Sequence, residues 1–600
     1  MNKSITQYLK KYTQETFLIN RLLISIFIKK NKIKVEKNKL IRSYLIESGD
    51  IDYPHFVKFS KYFSTEFRFE DLIELFEFVI SPEDKVVSGA VYTPFNIRSY
   101  IIQNTFMNNP IQKKLKIADI SCGCGGFLAD AAIFMNKEFG ISFFELYKNN
   151  IHGLDIKDYS IERSKILLSI AAIVYGNEDQ NFQFNLHVGN ALKFEWKTKF
   201  DVILGNPPYV CSRNIDEDSK QYLRNWEVCS TGHPDLYIPF FQIGIENLKE
   251  NGILGYITMN SFFKSVNGRA LRQYLEKKTL KIKIIDFGDY QIFSKKSTYT
   301  CICLITKTKF PFILYAKASK GYLGESMHYS EVKYSILDAK SGWNFQNIGF
   351  VNKIESTGIP FEKLYKTRNG IATLKNKVYI FSPVNEDDEY YYLKENSTYK
   401  IEKKICKEII NPNKLIDNKD LSSLKQKIIF PYFYEGNEVK LYDEQIFRKL
   451  FPYTYKYLKS KKDILDTRDK GNGNYENWYA YGRNQSLEKM PNKLFFPHIS
   501  PKIPNYTLSR DENLLFHNGL AVISDEIKEL LYLKKLMSTK LFWSYIRQTS
   551  KPYGSGYYSL SRNYLKKFGI YQPTTEEMEY IINQEDLHII NNFFNTKYGM

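Results

Sequence analysis

The feature that most constrains the fold is an alternation of short apolar runs with helical stretches between residues 115 and 310. The runs have the length and composition of buried strands, and the stretches between them, such as FLADAAIFMNKEF, have the composition of helices. This alternation is typical of a parallel-rich sheet with helices on both faces. We therefore predict an α/β fold whose strands contain KIADI, NIHGLDI, FNLHVG, FDVILG, GILGYIT, IKIIDF and TCICLIT.

At 600 residues the chain is too long for one ordinary domain. Residues 1–85 have apolar positions at helical spacing, as in FEDLIELFEFVI, whereas residues 311–600 lose the alternation and become rich in Tyr, Phe, Lys and Asn. We predict an N-terminal helical segment (1–85), an α/β domain (86–310) and a separate mixed α+β domain (311–600). The residues that neighbour the apolar stretch LLISIFI are expected to form an amphipathic helix packed on the body of the protein.

The charge balance favours a polyanionic partner. Lys+Arg 85 against Asp+Glu 66 gives a net charge of +19, which points to nucleic acid before a membrane surface. The seven cysteines form no CxxC pair and have no accompanying His-x3–5-His, so we expect no metal site and a reducing compartment. LLISIFI is too short to span a bilayer and lacks a cleavage site, so a cytoplasmic protein is expected.

Several apolar runs end in groups that suit a small ligand. Asp119 precedes the Gly-rich turn SCGCGG, Asp155 ends the next run, and Asn190 follows the third. The carboxyl ends of parallel strands meet at one edge of a sheet, and a Gly-rich turn aims backbone N–H groups at a ligand there. The spacing is neither GxGxxG nor a Walker motif, which disfavours a phosphate-binding loop. An acid at the end of the second strand is typical of ribose binding, a feature that nicotinamide enzymes share.

The fourth run, DVIL, ends at Gly205 and continues as Asn206-Pro207-Pro208-Tyr209. Two successive prolines lack N–H donors and fix φ, so they hold the chain stiffly extended. The sequence therefore presents an amide and an aromatic ring at the edge where the ligand crevice is expected.

The ordered set SGAVYTP (88–94), ADISCGCGGF, GLDI, GNAL and ILGNPPYV resembles the S-adenosylmethionine-dependent N6-adenine DNA methyltransferases. Within them it resembles the γ class, in which the cofactor motifs precede the catalytic motif and a target-recognition domain follows. The likeness covers most of the chain after the first eighty residues. It implies a Rossmann-like methyltransferase sheet, S-adenosyl-L-methionine as cofactor, and methyl transfer to adenine N6 of double-stranded DNA after base flipping. It fits a type II restriction–modification enzyme or a solitary one, leaves open a separate cognate restriction endonuclease, and we expect a monomer.

The resemblance also implies a set of cofactor residues. Tyr92, Thr93 and Pro94 are expected at the methionine end, the Asp119 carboxylate and the backbone from Ser121 to Gly123 at the amino-acid part, and Asp155 at the ribose. Ile156 is expected to pack on the adenine. The complete expected set is Tyr92, Thr93, Pro94, Asp119, Ser121, Cys122, Gly123, Phe127, Asp155, Ile156, Asn190, Ala191 and Asn206. Family members often have Pro-Ala where this chain has Ile120-Ser121, and Asp where it has Asn190.

The catalytic set that the resemblance implies is Asn206, Pro207, Pro208, Tyr209 and Phe293. Adenine N6 is a poor nucleophile because its lone pair is delocalised into the ring. The Asn206 side-chain oxygen and the Pro207 carbonyl are an acceptor pair for the two N6 protons, which favours a more nucleophilic nitrogen. Tyr209 is expected to stack on the extruded base and Phe293 to cover another face of it.

The C-terminal half supplies candidate DNA contacts. Residues 367–381 and 427–433 resemble the opening of the family's recognition domain. Arg483 and Gln485 have side chains able to make bidentate contacts to guanine and adenine edges. Phosphate contacts are expected from Lys502, Arg510, Lys551 and Arg562.

Four other functions are compatible with parts of the pattern. Cytosine-N4 methylation favours Ser in place of Asn206. Protein-glutamine and ribosomal RNA methyltransferases also use Asn-Pro-Pro-aromatic motifs, but they do not need a large basic C-terminal domain. A fused nuclease needs a metal-binding carboxylate cluster, for which Asp71 with Glu83-x-Lys85 is a weak match in a segment short for a nuclease fold. A non-catalytic DNA-binding protein would not need an intact Asn-Pro-Pro-Tyr.

Overall fold

The chain forms two compact units, Met1–Phe345 and Gln346–Met600. The computed structural model describes residues 3–13, 15–63, 67–78, 91–107, 114–288, 290–293, 298–318, 321–324, 327–436, 438–550, 552–553 and 556–600. The sequence predicts a boundary after residue 310, whereas the first unit continues to Phe345. Two strands beyond residue 310 pair with the sheet of the first unit, which accounts for the difference.

The first unit is built on a nine-stranded sheet of order β3-β2-β1-β4-β5-β7-β6-β8-β9. Each of the seven predicted apolar runs contains a strand, so the predicted α/β class is confirmed. The strands are β1 (Ile117–Asp119), β2 (Ile151–Asp155), β3 (Asn185–Val188), β4 (Phe200–Gly205), β5 (Leu248–Met259), β6 (Leu280–Asp286), β7 (Thr300–Lys309), β8 (Phe312–Lys317) and β9 (Ser330–Lys333).

The strand order creates a crevice between the carboxyl ends of β1 and β4. The strands from β3 to β5 are parallel, and β7 lies antiparallel between β5 and β6. The chain leaves β1 for β2 on one side and leaves β4 for β5 on the other, which is the arrangement at which α/β sheets bind ligands. Gly205 ends β4 with φ +147°, and a Cβ there would lie 2.6 Å from Asp119 Oδ1. Only glycine permits this approach of the two strand ends.

Helices of the first unit cover the sheet and also form its N-terminal part. The predicted helical character of residues 1–85 is seen in the described portion. The helices are Lys3–Tyr12, Thr16–Lys30, Lys39–Ser43, Tyr53–Ser60, Phe69–Phe78, Phe95–Phe106, Gly126–Phe139, Phe143–Glu145, Asp158–Gly176, Glu217–Leu223, Tyr237–Asn247 and Arg269–Lys278.

The N-terminal helices share one hydrophobic core with the sheet. The stretch LLISIFI lies within the helix Thr16–Lys30, and every residue from Leu22 to Ile28 is buried. Arg163 Nε, on the helix Asp158–Gly176, donates to Asn20 Oδ1 at 3.0 Å, and its Nη1 donates to the Phe76 carbonyl at 2.6 Å. These helices are therefore an integral layer of the first unit.

The second unit is a mixed α+β structure, as predicted. It contains two four-stranded sheets. In the first, the strand order is Lys366–Asn369, Leu520–Ser524, Asn492–Phe496, Thr507–Ser509. In the second, it is Ile380–Phe381, Gln426–Ile429, Cys406–Ile410, Leu515–Phe516. Two further sheets have two strands each: Ile359–Pro360 pairs with Gly569–Ile570, and Tyr432–Glu435 pairs with Glu438–Leu441. Two others have three strands each: Tyr390–Lys394 lies between Asn385–Glu386 and Thr398–Glu402, and Tyr557–Ser559 lies between Ile499–Ser500 and Pro552–Tyr553. The helices are Ile348–Glu355, Phe361–Leu364, Asn376–Tyr379, Glu444–Leu450, Pro452–Ser460, Lys462–Asp466, Ile527–Met537, Lys540–Thr549, Arg562–Leu565, Thr575–Asn583 and Leu587–Lys597.

Two chain-wide features concern membranes and metals. Within the ranges given above, no helix has both the length and the apolar composition needed to cross a bilayer. In the same described portion no group of three or more His, Cys, Asp or Glu side chains is arranged to hold a metal ion. All seven cysteines are free thiols.

The shared core predicts that the N-terminal helices stabilise the sheet. We expect Leu23→Ala to destabilise the first unit by about 2–5 kcal/mol, because a cavity replaces a fully buried side chain. Hydrogen exchange of the helix Asp158–Gly176, followed by mass spectrometry at increasing urea, reports this free energy. Ile51→Ala is the matched control, since Ile51 is 91% exposed and its change should stay within about 0.5 kcal/mol. Equal exchange in the two variants would contradict a shared core.

Candidate functional site

A cavity of about 330 Å³ lies at the carboxyl ends of β1, β2 and β4. The predicted cofactor residues that line it are Tyr92, Thr93, Asp119, Ser121, Cys122, Gly123, Phe127, Asp155, Ile156, Asn190, Ala191 and Asn206. Pro208 of the predicted catalytic set also lines it. Pro94 instead precedes the helix Phe95–Phe106 as its N-cap residue. The fold thus brings segments that are far apart in sequence to one crevice.

The Asn206 amide is held in a fixed orientation. Its Nδ2 donates to the Val91 carbonyl at 3.1 Å and to Thr93 Oγ1 at 3.0 Å. A carbonyl accepts but cannot donate, so the nitrogen must face Val91 and the oxygen must face away. Asn206 Oδ1 is buried and has no hydrogen-bond partner in the described structure. A buried acceptor without a donor is unfavourable, so this oxygen is prepared to accept from a ligand.

The Gly-rich turn joins the ends of β1 and β2. Ser121 N–H donates to Asp119 Oδ1 at 3.0 Å, and Gly123 N–H donates to Asp155 Oδ2 at 2.9 Å. Gly123 has φ +54°, a conformation that glycine adopts without strain. Asp155 Oδ1 also accepts from Lys157 N–H at 2.9 Å. The two carboxylates therefore shape the turn and face the cavity.

Three carboxylates are crowded at this end of the cavity. Burial raises the pKa of Asp119 to about 8, and the charges of Asp155 and Glu77 add to the rise. Burial also raises the pKa values of Asp155 and Glu77 above their ordinary values. Carboxylates in such surroundings favour a positively charged ligand, which would offset their mutual repulsion.

A buried arginine organises the side of the cavity that contains Tyr92 and Thr93. Arg98 Nε donates to Asp130 Oδ2 at 2.7 Å, Nη2 donates to Glu70 Oε2 at 2.6 Å, and Nη1 donates to the Thr93 carbonyl. The Tyr92 hydroxyl donates to Glu70. Sequence reasoning missed Arg98, Glu70 and Asp130. The available signal is one arginine among the apolar positions of the stretch NIRSYII.

Two predicted cofactor side chains are engaged within the protein. Asn190 Nδ2 donates to Ser219 Oγ at 3.0 Å, and its Oδ1 accepts from Leu192 N–H at 3.0 Å. Cys122 Sγ lies 3.9 Å from Ser164 Oγ, and burial raises its pKa well above the ordinary value. The Asn190 amide is therefore held by its own loop and by the helix Glu217–Leu223, and Cys122 contributes a packed, protonated thiol.

The predicted aromatic pair lies directly beyond the prolines. The rings of Tyr209 and Phe293 have centroids 6.1 Å apart at 59°. The Tyr209 hydroxyl donates to the Ile257 carbonyl at 3.4 Å. Phe293 and Pro207 are buried, whereas Tyr209 is partly exposed. The structure therefore brings all five predicted catalytic residues to one region.

In the second unit, Arg483 and Gln485 lie beside the segment Asn369–Ala372. Gln485 Nε2 donates to the Gly370 carbonyl at 2.6 Å, and Ala372 pairs with Arg483 in an isolated bridge. The exposed Arg483 guanidinium forms an ion pair of 2.8 Å with Asp469. The two predicted base-reading residues thus adjoin the segment 367–381.

The predicted phosphate-contacting residues are distributed over the second unit. Lys502 Nζ forms an exposed ion pair of 2.8 Å with Asp417. Arg510 and Arg562 are exposed, and Arg562 begins the helix Arg562–Leu565. Lys551 lies outside the described residues, as do Glu83 and Lys85 of the weak nuclease match. Asp71 of that match accepts from Arg68 at 2.9 Å.

Residues 149–293 match the family described as Eco57I restriction-modification methylase. The chain is similar in sequence to type II restriction-modification methyltransferases. The type II restriction enzyme and methyltransferase RM.Eco57I of Escherichia coli is 26% identical over an alignment of 488 residues. This alignment covers 68% of this chain and 48% of that protein. The type II methyltransferase M.BstVI of Geobacillus stearothermophilus is 23% identical over 65% of this chain and 73% of its own length. The chain thus spans about half the length of RM.Eco57I.

Solved structures share the fold. The type IIL restriction-modification enzyme MmeI, solved in complex with DNA, superposes with a TM-score of 0.62 at 14% identity, over 97% of this chain and 84% of that one. A nuclease-deletion mutant of the type ISP enzyme LlaGI, solved with a DNA substrate mimic, gives a TM-score of 0.55 at 12% identity, over 94% and 53% of the two chains. At these identities the likeness is one of architecture.

The raised pKa of Asp119 predicts a pH-dependent stability. The pKa of Asp119 is about 8 in the folded protein, against an ordinary value of 3.8. The folded state therefore binds the proton more tightly than the unfolded state, and the stabilisation from this proton is complete when the pH is below 3.8. That stabilisation is lost as pH rises towards 8. Asp119→Asn keeps the acceptor for Ser121 N–H but cannot ionise. We therefore expect this variant to gain stability relative to wild type between pH 5 and pH 8.5, measured by urea-dependent hydrogen exchange of the helix Gly126–Phe139. A difference that does not change with pH would show that Asp119 does not titrate in this range.

Proposed function

We propose that this chain is a site-specific DNA methyltransferase that transfers a methyl group from S-adenosylmethionine to adenine N6 of double-stranded DNA after base flipping. The observation that carries the proposal is the buried, unpartnered Oδ1 of Asn206 within Asn-Pro-Pro-Tyr at the mouth of the cavity. The relationship to type II methyltransferases supports the reaction class. The enzyme acts within a restriction–modification system or alone.

The cavity suits S-adenosylmethionine. When bound, this cofactor supplies a methyl group made electrophilic by a sulfonium centre. Asp155 ends β2 with acceptor capacity for a ribose hydroxyl pair, and the exposed side chain of Ile156 is available to the adenine. The acidic end formed with Asp119 suits the positively charged amino-acid part.

Asn206 and Pro207 are the proposed acceptors for the two protons of adenine N6. Asn206 offers Oδ1, and Pro207 offers a carbonyl without a competing N–H. The amide is already oriented by Val91 and Thr93, so little reorganisation is needed when the amine arrives. Preorganised acceptors of this kind stabilise charge as it develops on the amine.

Tyr209 and Phe293 are proposed to hold the extruded base. A base inside the duplex cannot reach the cavity, so it must leave the base stack of the DNA and stack on protein side chains instead. The partly exposed ring of Tyr209 provides a stacking face, and the buried ring of Phe293 supports it at 6.1 Å. Stacking of a base on an aromatic ring contributes about 1–3 kcal/mol.

The second unit is proposed to bind and read DNA. MmeI, which shares the architecture, was solved in complex with DNA. The net charge of +19 supports a polyanionic partner. Arg483 and Gln485 are proposed to contact bases, and Lys502, Arg510, Lys551 and Arg562 to contact phosphates. Arg483 would exchange its exposed Asp469 partner for a base edge.

We expect Asn206→Ala to lower the methylation rate by a factor of at least about 10², by analogy with loss of one preorganised polar group. Affinity for S-adenosylmethionine and for DNA should stay nearly unchanged, because the acceptor bonds tighten chiefly in the transition state. The assay transfers labelled methyl groups to duplex DNA, identifies the modified base, and adds calorimetry of the cofactor. The exposed Asn149→Ala is the control. Full activity in Asn206→Ala, or N4-methylcytosine as the product, would refute the proposal.

For DNA recognition we expect Arg483→Ala to relax the preferred methylation sequence and to cost about 1–3 kcal/mol of discrimination at one base pair. Arg510→Ala should instead weaken binding to all sequences similarly and reduce the slope of log affinity against log salt by about one. The measurements are methylome sequencing of DNA from a host expressing each variant, and DNA titrations at several salt concentrations. An unchanged methylated sequence and rate in both Arg483→Ala and Gln485→Ala would remove these residues from base reading.

A further inference from the structure

Glu77 reaches the cavity from the N-terminal helix Phe69–Phe78, outside every recognised motif. Its Oε1 accepts from Cys124 N–H at 2.9 Å, in the Gly-rich turn. A Cβ at Gly123 would lie 3.0 Å from the same oxygen, so the carboxylate is packed closely against the turn. A carboxylate accepts about four hydrogen bonds. The bond to Cys124 therefore leaves acceptor capacity, mainly on Oε2.

Among the described residues, the ionisable side chains that line the cavity include more acids than bases. The acids are Glu77, Asp119, Asp155 and Asp216, and the bases are Arg98 and Lys157. Arg98 is already paired with Asp130 and Glu70. Glu77 and Asp155 also repel one another, which adds to the effect of burial on the pKa of Glu77. The acidic end of the cavity is therefore complementary to a cation.

We propose that Glu77 binds the α-ammonium group of the methionine part of S-adenosylmethionine, together with Asp119. The inference rests on the proposed function and adds a residue to its cofactor site. The ammonium group has three N–H donors, whereas the sulfonium centre has none. The sulfonium must also face Asn206 for transfer, while Glu77 lies at the Gly123–Cys124 turn. The N-terminal helical layer then supplies part of the cofactor site.

A purely structural role for Glu77 makes a different prediction. If the side chain only holds the turn through Cys124 N–H, a neutral acceptor should replace it. Glu77→Gln retains an oxygen for Cys124 and nearly the same size, but it removes the charge. The substitution therefore separates binding of the ammonium from support of the turn.

The experiment is calorimetry on the full chain with S-adenosylmethionine, S-adenosylhomocysteine and 5′-methylthioadenosine, the last of which lacks the amino-acid group. In Glu77→Gln we expect the first two ligands to lose affinity equally, by at least about tenfold, which is about 1.4 kcal/mol. The affinity for 5′-methylthioadenosine should not change. Glu74→Gln, on the same helix but outside the cavity lining, is the matched control and should bind all three as wild type does.

Three results would overturn the inference. Unchanged affinity for S-adenosylmethionine in Glu77→Gln would remove the residue from the site. Equal losses for all three ligands would assign it to support of the turn, and a loss confined to S-adenosylmethionine would assign it to the sulfonium. Wild-type protein that binds none of the ligands would instead contradict the proposed function itself.

Discussion

The close approach of two strand ends, at Gly205 and Asp119, is the contact on which the rest of the site depends. The absence of a Cβ at Gly205 lets β4 end against the Asp119 carboxylate. That approach places Asn206 in the same cavity as the Gly-rich turn, so the Asn206 amide and the carboxylates of Asp119 and Asp155 line one space. An alanine at this position would collide with Asp119 in a backbone conformation that side chains rarely adopt. The geometry of the proposed methyl transfer therefore depends on glycine at position 205, which has no Cβ.

Arg98 connects this strand-end geometry to the helical layer. Its guanidinium lies between Asp130 on a sheet-covering helix and Glu70 on an N-terminal helix, and it also fixes the Thr93 carbonyl. Removing one partner of a buried ion pair leaves an uncompensated charge, which typically costs about 3–5 kcal/mol. Because Thr93 Oγ1 in turn accepts from Asn206, Arg98 supports the orientation of the proposed catalytic amide without contacting it.

The sequence predicts the seven central strands, and twelve of the thirteen predicted cofactor residues line the cavity, because apolar runs and strand-end motifs are local signals. It did not predict how Asn206 is oriented, since its partners Val91 and Thr93 are more than a hundred residues away. It also missed Arg98 and Glu77, whose roles follow from helix packing that no short motif encodes. Residues 312–333 were assigned to the wrong side of a domain boundary, because two short strands at a sheet edge carry little periodic signal. Pro94, expected at the cofactor, does not line the cavity and is the N-cap residue of the helix Phe95–Phe106.

The proposed site combines carboxylates with neutral acceptors, and this combination suits its chemistry. Carboxylates cluster at the turn, where a cationic ligand would compensate their burial. After β4, Asn206 and Pro207 offer neutral oxygens, which do not titrate and cost less to bury than a carboxylate. A charged acceptor there would bind the cofactor's sulfonium directly and compete with the incoming amine. Neutral acceptors do not compete with the amine for the sulfonium. The Asn206 amide oxygen and the Pro207 carbonyl are therefore suited to accept the N6 protons in this crevice.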